Sequence, residues 1–398
     1  MANYLIIGNG IAGSTAAENI RKNDKGGNIR IVTDEDLAFY YRTRLNEYIS
    51  GDITEQGLLA KKQEWYKQTG IELILKTRIT GGDSTERIVI AEGNKKFPYD
   101  KLLIAAGSRS FIPPIEGSEK RGVFALRHIK DSRDIIKYAG NTEKVVIIGG
   151  GLLGLEAGNA FRRLGKDVTI VEFFPRLLPR QLDIEGAKRL QAIMEGMGFS
   201  FRLGAKTHEI AGGDFVDGVH LESGEILSAR MVLISAGVRP NMDLALPMSL
   251  DADKGIKVDE RLRTNQADIY AAGDVAEFKG MPYGIWPAAM EQGKIAGTNM
   301  AGGDMVYGGT TMANILKVVG IELASAGDID AENKRESRVV SDEATYKKIV
   351  LDNNRIIGCI MLGDTKGFNK ITKAMSEKRD LSGIKDRILS AGFDFNSL

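Results

Sequence analysis

Two glycine-rich segments of the sequence share a spacing that suits the binding of a dinucleotide. The first reads Gly8-Asn9-Gly10-Ile11-Ala12-Gly13 and the second reads Gly149-Gly150-Gly151-Leu152-Leu153-Gly154. In such a turn one glycine makes the sharp bend, one lets the backbone approach the pyrophosphate, and one lets a helix pack closely on a strand. The phosphates then accept hydrogen bonds from free N–H groups at the start of the helix. The predicted phosphate-binding residues are Gly8, Gly10, Gly13, Gly149, Gly151 and Gly154.

Each glycine segment lies between stretches that predict a strand, a helix and a second strand. In the first copy, apolar residues 4–7 precede the turn, residues 14–22 have a helical pattern, and residues 29–32 are apolar again. The second copy repeats this order between residues 144 and 171. This is the βαβ unit of dinucleotide-binding folds. Two such units in one chain predict FAD and NAD as cofactors, a pair that carries out hydride transfer.

A carboxylate after the second strand of such a unit can bind the adenosine ribose. Glu172 holds this position in the second copy, where it can accept from both ribose hydroxyls and repel a 2′-phosphate. We therefore predict that NADH is preferred to NADPH, although Arg176 is close enough in sequence to weaken the preference. In the first copy Thr33 takes the acid position, and Asp34 and Glu35 follow it. Either acid could reach the flavin ribose, or both could be solvated loop charges.

The composition limits the other kinds of chemistry. With 54 basic and 53 acidic side chains the net charge is +1, whereas nucleic-acid recognition normally needs a concentrated basic surface, so we expect no nucleic-acid partner. Cys359 is the only cysteine, which rules out an intrachain disulfide and any site built from several thiolates, and the three histidines are scattered. We therefore predict no metal site.

No segment of the sequence predicts a membrane span or a targeting signal. The longest apolar stretch, residues 145–161, contains several glycines and Glu156 and is too short to cross a bilayer. The apolar run that follows Met1 almost at once has no basic region or cleavage site before it, so it is interpreted as a first strand. We expect a soluble cytoplasmic protein without a membrane partner.

Further motifs resemble those of the flavoprotein pyridine-nucleotide oxidoreductases with two dinucleotide-binding domains. Residues 102–107 resemble the strand that returns from the flavin domain, and residues 232–241 resemble the matching exit segment of the nicotinamide domain. Residues 269–274 resemble the second flavin motif, whose aspartate binds the ribityl chain, and residues 286–293 resemble the helix start beside the flavin ring. Trp286 could lie on the ring edge or be a core tryptophan. The resemblance implies flavin contacts from Ala106, Gly107, Arg109, Gly273, Asp274, Trp286 and Ala289, and a nicotinamide-nucleotide contact from Gly237.

The order of these motifs predicts an α/β architecture with three domains. Flavin motifs occur both before and after the second glycine segment, so a Rossmann-like NAD-binding domain, residues 111–241, is inserted in a discontinuous, Rossmann-like FAD-binding domain, residues 1–110 and 242–308. Residues 309–398 alternate apolar and polar side chains and then turn helical after Gly367. This pattern predicts a small α+β C-terminal interface domain, and a homodimer is one possible assembly.

Within the family the sequence most resembles the NADH:rubredoxin oxidoreductases and the flavoprotein part of the NADH-dependent nitrite reductases. The segments that carry the resemblance are residues 40–47, 144–183, 273–278, 316–321 and 358–366. It implies an FAD-dependent oxidoreductase that takes hydride from NADH and passes electrons singly to rubredoxin or a similar small redox protein. The alternatives are an NADH oxidase, the reductase component of a nitrite-reducing assembly, and a non-catalytic, NADH-responsive redox-sensing flavoprotein.

Cysteines that related enzymes use are missing from this chain. Disulfide-reducing relatives carry a redox pair on the helix after the first glycine segment, and some oxidases carry a reactive cysteine near residues 40–46, but this sequence has neither. Cys359 lies in an apolar strand pattern, residues 356–362, and we expect it to be a buried small hydrophobe. The electrons are therefore expected to leave the flavin directly.

The charges near the expected nicotinamide site also depart from the family pattern. Glu156 matches a family glutamate beside the nicotinamide carboxamide, which many relatives pair with a lysine of the flavin loop, and here Glu47 takes the lysine position. Two unpaired carboxylates beside a bound cofactor would be costly, so we hypothesise that Arg42 or Arg44 supplies the positive charge. The predicted catalytic residues are Glu156, Arg42 and Arg44, and the resemblance also implies that Arg42 contacts FAD and Glu156 contacts NAD.

Three lysines near the C-terminus would share one face of a helix. These are Lys366, Lys370 and Lys373. The face could dock a small acidic electron carrier, or it could be an ordinary solvated helix surface.

Overall fold

The computed structural model describes residues 1–310, 313–390 and 393–398. In these residues the α-helices are α1 (Ile11–Asn23), α2 (Leu45–Ile49), α3 (Glu55–Leu58), α4 (Gln63–Thr69), α5 (Ile129–Ala139), α6 (Leu152–Arg163), α7 (Ile184–Gly196), α8 (Trp286–Met300) and α9 (Phe368–Ser376). The strands are β1 (Asn3–Ile7), β2 (Asn28–Val32), β3 (Ile71–Ile74), β4 (Ile79–Asp83), β5 (Ile88–Ala91), β6 (Lys96–Pro98), β7 (Lys101–Ile104), β8 (Ser108–Ser110), β9 (Val123–Phe124), β10 (Lys144–Ile148), β11 (Asp167–Glu172), β12 (Ser200–Leu203), β13 (Thr207–Gly212), β14 (Val216–Leu221), β15 (Ile226–Ser228), β16 (Met231–Ile234), β17 (Val238–Pro240), β18 (Ile256–Val258), β19 (Ile269–Ala271), β20 (Ala276–Phe278), β21 (Ala313–Val318), β22 (Ile321–Gly327), β23 (Glu336–Ser341), β24 (Tyr346–Asp352) and β25 (Arg355–Leu362).

The contacts within the chain divide it into two units. The first unit contains residues 1–48, 53–110 and 238–310, and the second contains residues 49–52, 111–237 and 311–398.

The first unit is built on a five-stranded parallel sheet with the strand order β19-β7-β1-β2-β3. In the middle of this sheet Ile6 lies opposite Ile31 on one side and Leu103 on the other, and all three side chains are fully buried. Continuous apolar runs of this kind are typical of parallel strands that are covered on both faces. The carboxyl ends of β1 and β2 therefore lie together, which brings the first glycine turn next to the end of β2.

Helices α1 and α8 of the first unit meet at a contact that only small residues permit. A Cβ added at Gly293 would collide with the backbone of Ala12, and one added at Gly297 would collide with the backbone of Ala16. Because α1 follows the first glycine turn directly, this close packing of α8 fixes the end of α1 that points at the turn.

The second unit combines a parallel sheet with two antiparallel ones. The parallel sheet has the order β12-β11-β10-β16-β9, and the antiparallel sheets have the orders β13-β14-β15 and β21-β22-β25-β24-β23. One hydrophobic core includes Val145 and Ile170 of the parallel sheet together with Leu323 and Ile360 of the larger antiparallel sheet. Residues 311–398 are therefore packed on the inserted parallel-sheet segment of the same unit.

A buried polar cluster strengthens this packing inside the second unit. Lys348 of β24 is fully buried, and its Nζ donates to Asp183 Oδ2 (3.2 Å), Asn333 Oδ1 (2.7 Å) and the carbonyl oxygen of Asp330 (2.8 Å). Asp183, which caps the N-terminus of α7, also accepts from the Tyr346 hydroxyl (2.6 Å). The buried ammonium is thus both paired and hydrogen-bonded, as a buried charge must be.

The predicted fold class is confirmed, since two parallel sheets of the dinucleotide-binding type and a small α+β C-terminal segment are all present. The domain boundaries that the motif order suggested, residues 1–110 with 242–308, 111–241 and 309–398, stay a prediction.

Candidate functional site

The first glycine turn joins β1 to α1 and has one open side. Gly8 has a φ of +104°, and a Cβ there would collide with the backbone of Ala105, while a Cβ on Gly13 would collide with the carbonyl oxygen of Gly8. Around Gly10, in contrast, no described atom lies within 4 Å of the position a Cβ would take. Gly8 thus makes the bend, Gly13 permits the close packing, and Gly10 leaves an open space in which a pyrophosphate fits.

Asn9 places an unused hydrogen-bond donor in the same turn. Its Oδ1 accepts from the Ser14 hydroxyl (3.1 Å) and from the Tyr66 hydroxyl (3.0 Å), which fixes the orientation of the amide. Its Nδ2 is buried and has no partner among the described residues. A buried donor at a helix N-terminus suits an anionic ligand, so the turn fits the phosphates of a dinucleotide.

The acids after β2 behave differently from each other. Asp34 is exposed, whereas Glu35 is buried and accepts from Arg42 Nη2 (2.6 Å) and from the Tyr40 hydroxyl (2.9 Å and 3.0 Å to its two oxygens). The sequence left open whether Glu35 is a solvated loop charge. It is not, because its buried carboxylate is paired with the partly buried Arg42. Burial opposes the charge of Arg42, but the surrounding Tyr40, Glu35, Asp34 and Asp274 raise its pKa above the ordinary arginine value.

Asp274 lies in the turn that follows β19, and it and the preceding Gly273 are hydrogen-bonded by side chains that the sequence analysis did not name. Its Oδ2 accepts from the Ser108 hydroxyl at 2.7 Å, and the N–H of Gly273 donates to Gln292 Oε1 of α8 at 2.8 Å. Gly273 has a φ of +82°, which a glycine adopts without strain. Ser108 and Gln292 follow predicted contact residues closely in sequence, which was the one available signal for them.

Trp286 begins α8 and is part of an aromatic stack. Its ring centroid lies 5.9 Å from that of Phe39 and 5.7 Å from that of Tyr41, with interplanar angles of 22° and 27°. Trp286 is partly exposed and Tyr41 is 39% exposed, so Trp286 is not a core tryptophan. Ala289, one turn further along α8, is buried in the core of the first unit. The exposed edge of the stack is compatible with a planar ligand.

Directly after the predicted return segment, β8 pairs antiparallel with β17, the last part of the predicted exit segment, in a short ribbon inside the first unit. Asn241 closes the ribbon, since its Nδ2 donates to the carbonyl oxygen of Ala106 (2.8 Å) and its N–H donates to that of Gly107 (3.0 Å). Arg109 extends to Asn241 Oδ1 (3.3 Å) and forms an exposed ion pair with Asp243 (3.6 Å). In the second unit Gly237, with a φ of +98°, accepts from the N–H of Phe111 (2.8 Å).

The second glycine turn joins β10 to α6 and repeats the geometry of the first. A Cβ on Gly149 (φ +119°) would collide with the carbonyl oxygen of Ser235, and one on Gly154 would collide with the carbonyl oxygen of Gly149. No described atom lies within 4 Å of the Cβ position of Gly151, which is the N-cap residue of α6. The second turn therefore also presents an open side and a helix N-terminus to a ligand.

Glu172 is the last residue of β11 and is held against this turn. One carboxylate oxygen accepts from the N–H of Gly150 (2.6 Å) and the other accepts from the N–H of Phe174 (2.8 Å). The side chain is buried. The carboxylate is thus held against Gly150, which lies between the phosphate-binding Gly149 and Gly151. This is where the sequence predicted the ribose-binding acid.

Glu156 lies on the second turn of α6 and is in contact with the C-terminal segment of the second unit. Its Oε1 accepts from the N–H of Val319 at 3.2 Å. Val319 is buried between β21 and β22 and has a φ of +55°, an uncommon conformation for a β-branched residue. This contact was not predicted from the sequence.

Comparison with known proteins identifies the family. Residues 2–293 match the model described as pyridine nucleotide-disulphide oxidoreductase, and residues 313–379 match the one described as rubredoxin NAD+ reductase C-terminal domain. The chain belongs to the pyridine nucleotide-disulphide oxidoreductase family. The family resemblance that the motifs indicated is confirmed.

Several relatives within this family align with almost the whole chain. A nitrite reductase [NAD(P)H] of Bacillus subtilis is 35% identical over 95% of this chain and 48% of its own length. An NADH-rubredoxin oxidoreductase of Clostridium acetobutylicum is 32% identical over 97% of this chain and 98% of its own length. The crystal structure of the NADH:rubredoxin oxidoreductase from Clostridium acetobutylicum superimposes with a TM-score of 0.85 at 31% identity, covering 100% of both chains. The chain spans about half the length of the first curated relatives it matches.

One departure from the family pattern, the glutamate at the lysine position, has a local partner. Glu47 forms an ion pair with Arg44 in which Nη2 and Nε of the arginine both donate to the carboxylate, at 2.6 Å and 3.0 Å for the shorter contacts. The hydrogen bond to Glu47 raises the pKa of Arg44. Arg44 therefore offsets Glu47 and Arg42 offsets Glu35, whereas the predicted catalytic role of either arginine together with Glu156 stays a prediction.

The single cysteine, Cys359, is not placed to act as a redox-active thiol. Cys359 is fully buried on β25, and this burial raises the pKa of its thiol from 9.0 to about 12. The prediction that it is a buried small hydrophobe is confirmed. Within the described residues no cluster of three or more His, Cys, Asp or Glu side chains could hold a metal ion. In the same ranges, no helix has the length and apolar character that a membrane crossing requires.

Proposed function

We propose that the chain is an FAD-dependent oxidoreductase that takes hydride from NADH and passes electrons one at a time to rubredoxin or a similar small redox protein. The observation that carries the proposal is the pair of glycine turns, each with an open central glycine and a helix N-terminus. A relative named NADH-rubredoxin oxidoreductase, which aligns over 98% of its own length, supports the choice of electron donor and acceptor.

The first unit is the proposed FAD site. FAD, when bound, supplies the chemistry of hydride acceptance and single-electron release. The turn at Gly10 would bind its pyrophosphate with the N–H groups of α1 and with Asn9 Nδ2, and Asp274 would bind its ribityl chain. The N-terminus of α8, beginning at Trp286, would place its positive end and free N–H groups where they stabilise negative charge on the reduced ring.

The second unit is the proposed NADH site. The turn at Gly151 would bind the pyrophosphate, and Glu172 would accept from the ribose hydroxyls with lone pairs that its two backbone hydrogen bonds leave available. A 2′-phosphate would have to approach a carboxylate that cannot move away, which supports a preference for NADH over NADPH. Arg176 is partly buried and bonded to the carbonyl oxygen of Pro179 (3.3 Å), so it is not fully available to a 2′-phosphate.

The side chains of the site position and stabilise rather than transfer protons. Hydride transfer between two bound rings requires orientation and charge stabilisation but no general base. Glu156, held by the N–H of Val319, is the residue we propose to orient the nicotinamide carboxamide. Because the chain has one cysteine and Cys359 is buried with a raised pKa, no thiol relays the electrons, and they pass directly to the acceptor.

A second candidate function is the reductase component of a nitrite-reducing assembly. It is favoured by one observation, the 35% identity to the part of a nitrite reductase [NAD(P)H] that this chain covers. In that case the acceptor would be a partner protein with its own redox centres rather than a free small carrier.

Three features are still predictions from the sequence. They are the docking face for the acceptor, the cellular location and the oligomeric state. Lys370 and Lys373 lie on α9, but Lys366 lies in the turn before Phe368, where the helix begins, so the prediction that all three share one helix face is wrong for Lys366. All three side chains are exposed, which both a docking face and an ordinary solvated surface require. We keep the cytoplasm as the proposed location and the homodimer as one possible assembly, which fractionation and light scattering would test.

The acceptor is tested by pre-reducing the holoenzyme with NADH and mixing it with a panel of oxidants in a stopped-flow instrument. Our proposal expects fast reoxidation by rubredoxin and slow reoxidation by dioxygen. Fast reoxidation by dioxygen alone would favour an NADH oxidase, and a long-lived reduced complex that no acceptor reoxidises would favour a redox-sensing protein.

A further inference from the structure

Tyr66 of α4 is a fully buried polar side chain that reaches the first glycine turn from outside it. The side chain lies in the core of the first unit. Its hydroxyl accepts from the N–H of Phe39 (3.2 Å) and donates to Asn9 Oδ1 (3.0 Å). Burial raises the pKa of this hydroxyl above the ordinary tyrosine value, so at neutral pH it keeps its proton and remains a donor.

The Tyr66 hydroxyl distinguishes the two ends of the Asn9 amide. Its oxygen already receives the N–H of Phe39, so its own proton needs an acceptor, and Oδ1 is the only strong acceptor on the amide. The Ser14 hydroxyl, 3.1 Å from the same Oδ1, does not make this distinction by itself, because a hydroxyl can both donate and accept. Without the Tyr66 hydroxyl the amide could therefore turn over and direct Nδ2 at Ser14.

With Oδ1 held in this way, Nδ2 is the end of the amide that is left for a ligand. Asn9 is 7% exposed, and its Nδ2 is buried without a partner among the described residues. The residue lies in the turn that leads into α1, next to the open space at Gly10. A turned amide would present a carbonyl oxygen to a phosphate, and two acceptors cannot form a hydrogen bond.

We infer that Tyr66 is a positioning residue for FAD, which holds the Asn9 amide with its nitrogen toward the flavin pyrophosphate. The inference rests on the proposed function, because it concerns the FAD site of the first unit. Tyr66 acts on the phosphates through Asn9, from which it is separated by 57 positions in the sequence. It is therefore a determinant of FAD binding that the glycine pattern does not contain.

Release of FAD from the diluted holoenzyme, followed by flavin fluorescence, measures this role. Tyr66→Phe keeps the ring and removes the hydroxyl, and Asn9→Ala removes the amide. Each should raise the dissociation constant for FAD by about tenfold, the factor that a hydrogen bond to a charged group contributes. Because Tyr66 acts through Asn9, the double variant should also be about tenfold weaker than the wild type, whereas independent roles would give a loss of about a hundredfold.

Two further variants keep the test independent of folding. Asn9→Asp still offers an acceptor to Tyr66, but an oxygen replaces the nitrogen that faces the pyrophosphate, so this variant should bind FAD more weakly than Asn9→Ala. Tyr99→Phe is the matched control, because Tyr99 belongs to the same unit, is 4% exposed and has a hydroxyl without a partner among the described residues. It loses the same atom as Tyr66→Phe and should retain FAD as the wild type does.

The outcomes distinguish this inference from the proposed function on which it rests. If the wild type retains FAD and is reduced by NADH, but Tyr66→Phe or Asn9→Asp retains FAD equally well, the positioning role is wrong and the proposed function stands. A hundredfold loss in the double variant, or an equal loss in Tyr99→Phe, would also overturn the positioning role. A wild type that binds no FAD, or that NADH does not reduce, would contradict the proposed function itself.

Discussion

At the scale of single residues, Glu172 is a side chain whose position is fixed by the fold before any ligand binds. Both of its oxygens accept backbone hydrogen bonds, from Gly150 and Phe174, so its position is set by the fold and not by the nucleotide. A carboxylate that is held in this way can discriminate between ligands, because it cannot swing aside to admit a second negative charge.

We predict that Glu172→Gln reduces the preference for NADH. The amide removes the charge that repels a 2′-phosphate, and because it has one oxygen it keeps only one of the two backbone hydrogen bonds that hold the side chain in place. The ratio of kcat/KM for NADH to that for NADPH should therefore fall by about tenfold, equivalent to about 1.4 kcal/mol. Steady-state kinetics with both nucleotides measure the ratio, with Glu185→Gln, an exposed position on α7, as the control. An unchanged ratio in Glu172→Gln would mean that this carboxylate does not select the nucleotide.

Cys359 leads to a prediction about reactivity and pH. Burial raises the pKa of its thiol to about 12, so at neutral pH the native protein holds almost no thiolate there. A thiol-specific disulfide reagent should react slowly with the folded protein, faster only as the pH approaches 12, and rapidly once the protein is unfolded in guanidinium. Cys359→Val should retain the full rate of acceptor reduction, and a large loss of that rate would contradict direct electron transfer.

At the scale of elements, different glycines of each strand–turn–helix unit serve folding and ligand binding. The first and third glycines of each turn are packed against backbone, whereas the central glycine is open. Substitutions at the central positions should therefore leave the apo fold intact and act on the ligand.

We predict that Gly10→Ala and Gly151→Ala each weaken the binding of a different ligand. Because each new methyl group enters the space of a pyrophosphate, Gly10→Ala should weaken FAD binding, and Gly151→Ala should raise the KM for NADH while FAD remains bound, each by at least about tenfold. Flavin absorbance, apo-protein melting temperature and NADH kinetics are the measurements. Loss of the apo fold in either variant, or loss of FAD in Gly151→Ala, would contradict the assignment.

The sequence predicted these turns because their information is local. Each strand–turn–helix–strand unit lies within a few dozen residues, and the spacing of its glycines predicts the geometry of the turn. The contact of Glu156 with Val319 could not be predicted, because 163 positions separate the two residues and nothing in the run around Val319 marks a hydrogen bond. For the same reason the choice between a bound and a solvated Glu35 required the position of Arg42.

At the scale of the whole molecule, the second unit depends on a polar cluster that the sequence did not indicate. In the alternating pattern of β24, Lys348 resembles any surface lysine, and its burial becomes evident only with Asp183 and Asn333 in place. Breaking such a pair leaves an uncompensated buried charge, so its removal is far more costly than that of a surface pair.

Lys348→Met should therefore lower the free energy of unfolding by about 3–5 kcal/mol. Adding Asp183→Asn, which removes the orphaned charge and still caps α7, should recover part of the loss. Lys130→Met is the control, since the side chain of Lys130 is 82% exposed and its ion pair with Asp134 should contribute at most about 1 kcal/mol. Denaturant unfolding compares the variants, and equal effects of the buried and exposed substitutions would contradict the role of the cluster.

An anaerobic titration of the purified protein with NADH tests the central claim most directly. We predict a flavin absorption band that one equivalent of NADH bleaches and that two equivalents of oxidised rubredoxin restore. A colourless protein that does not take up FAD, or a flavin band that NADH leaves unchanged, would contradict the account.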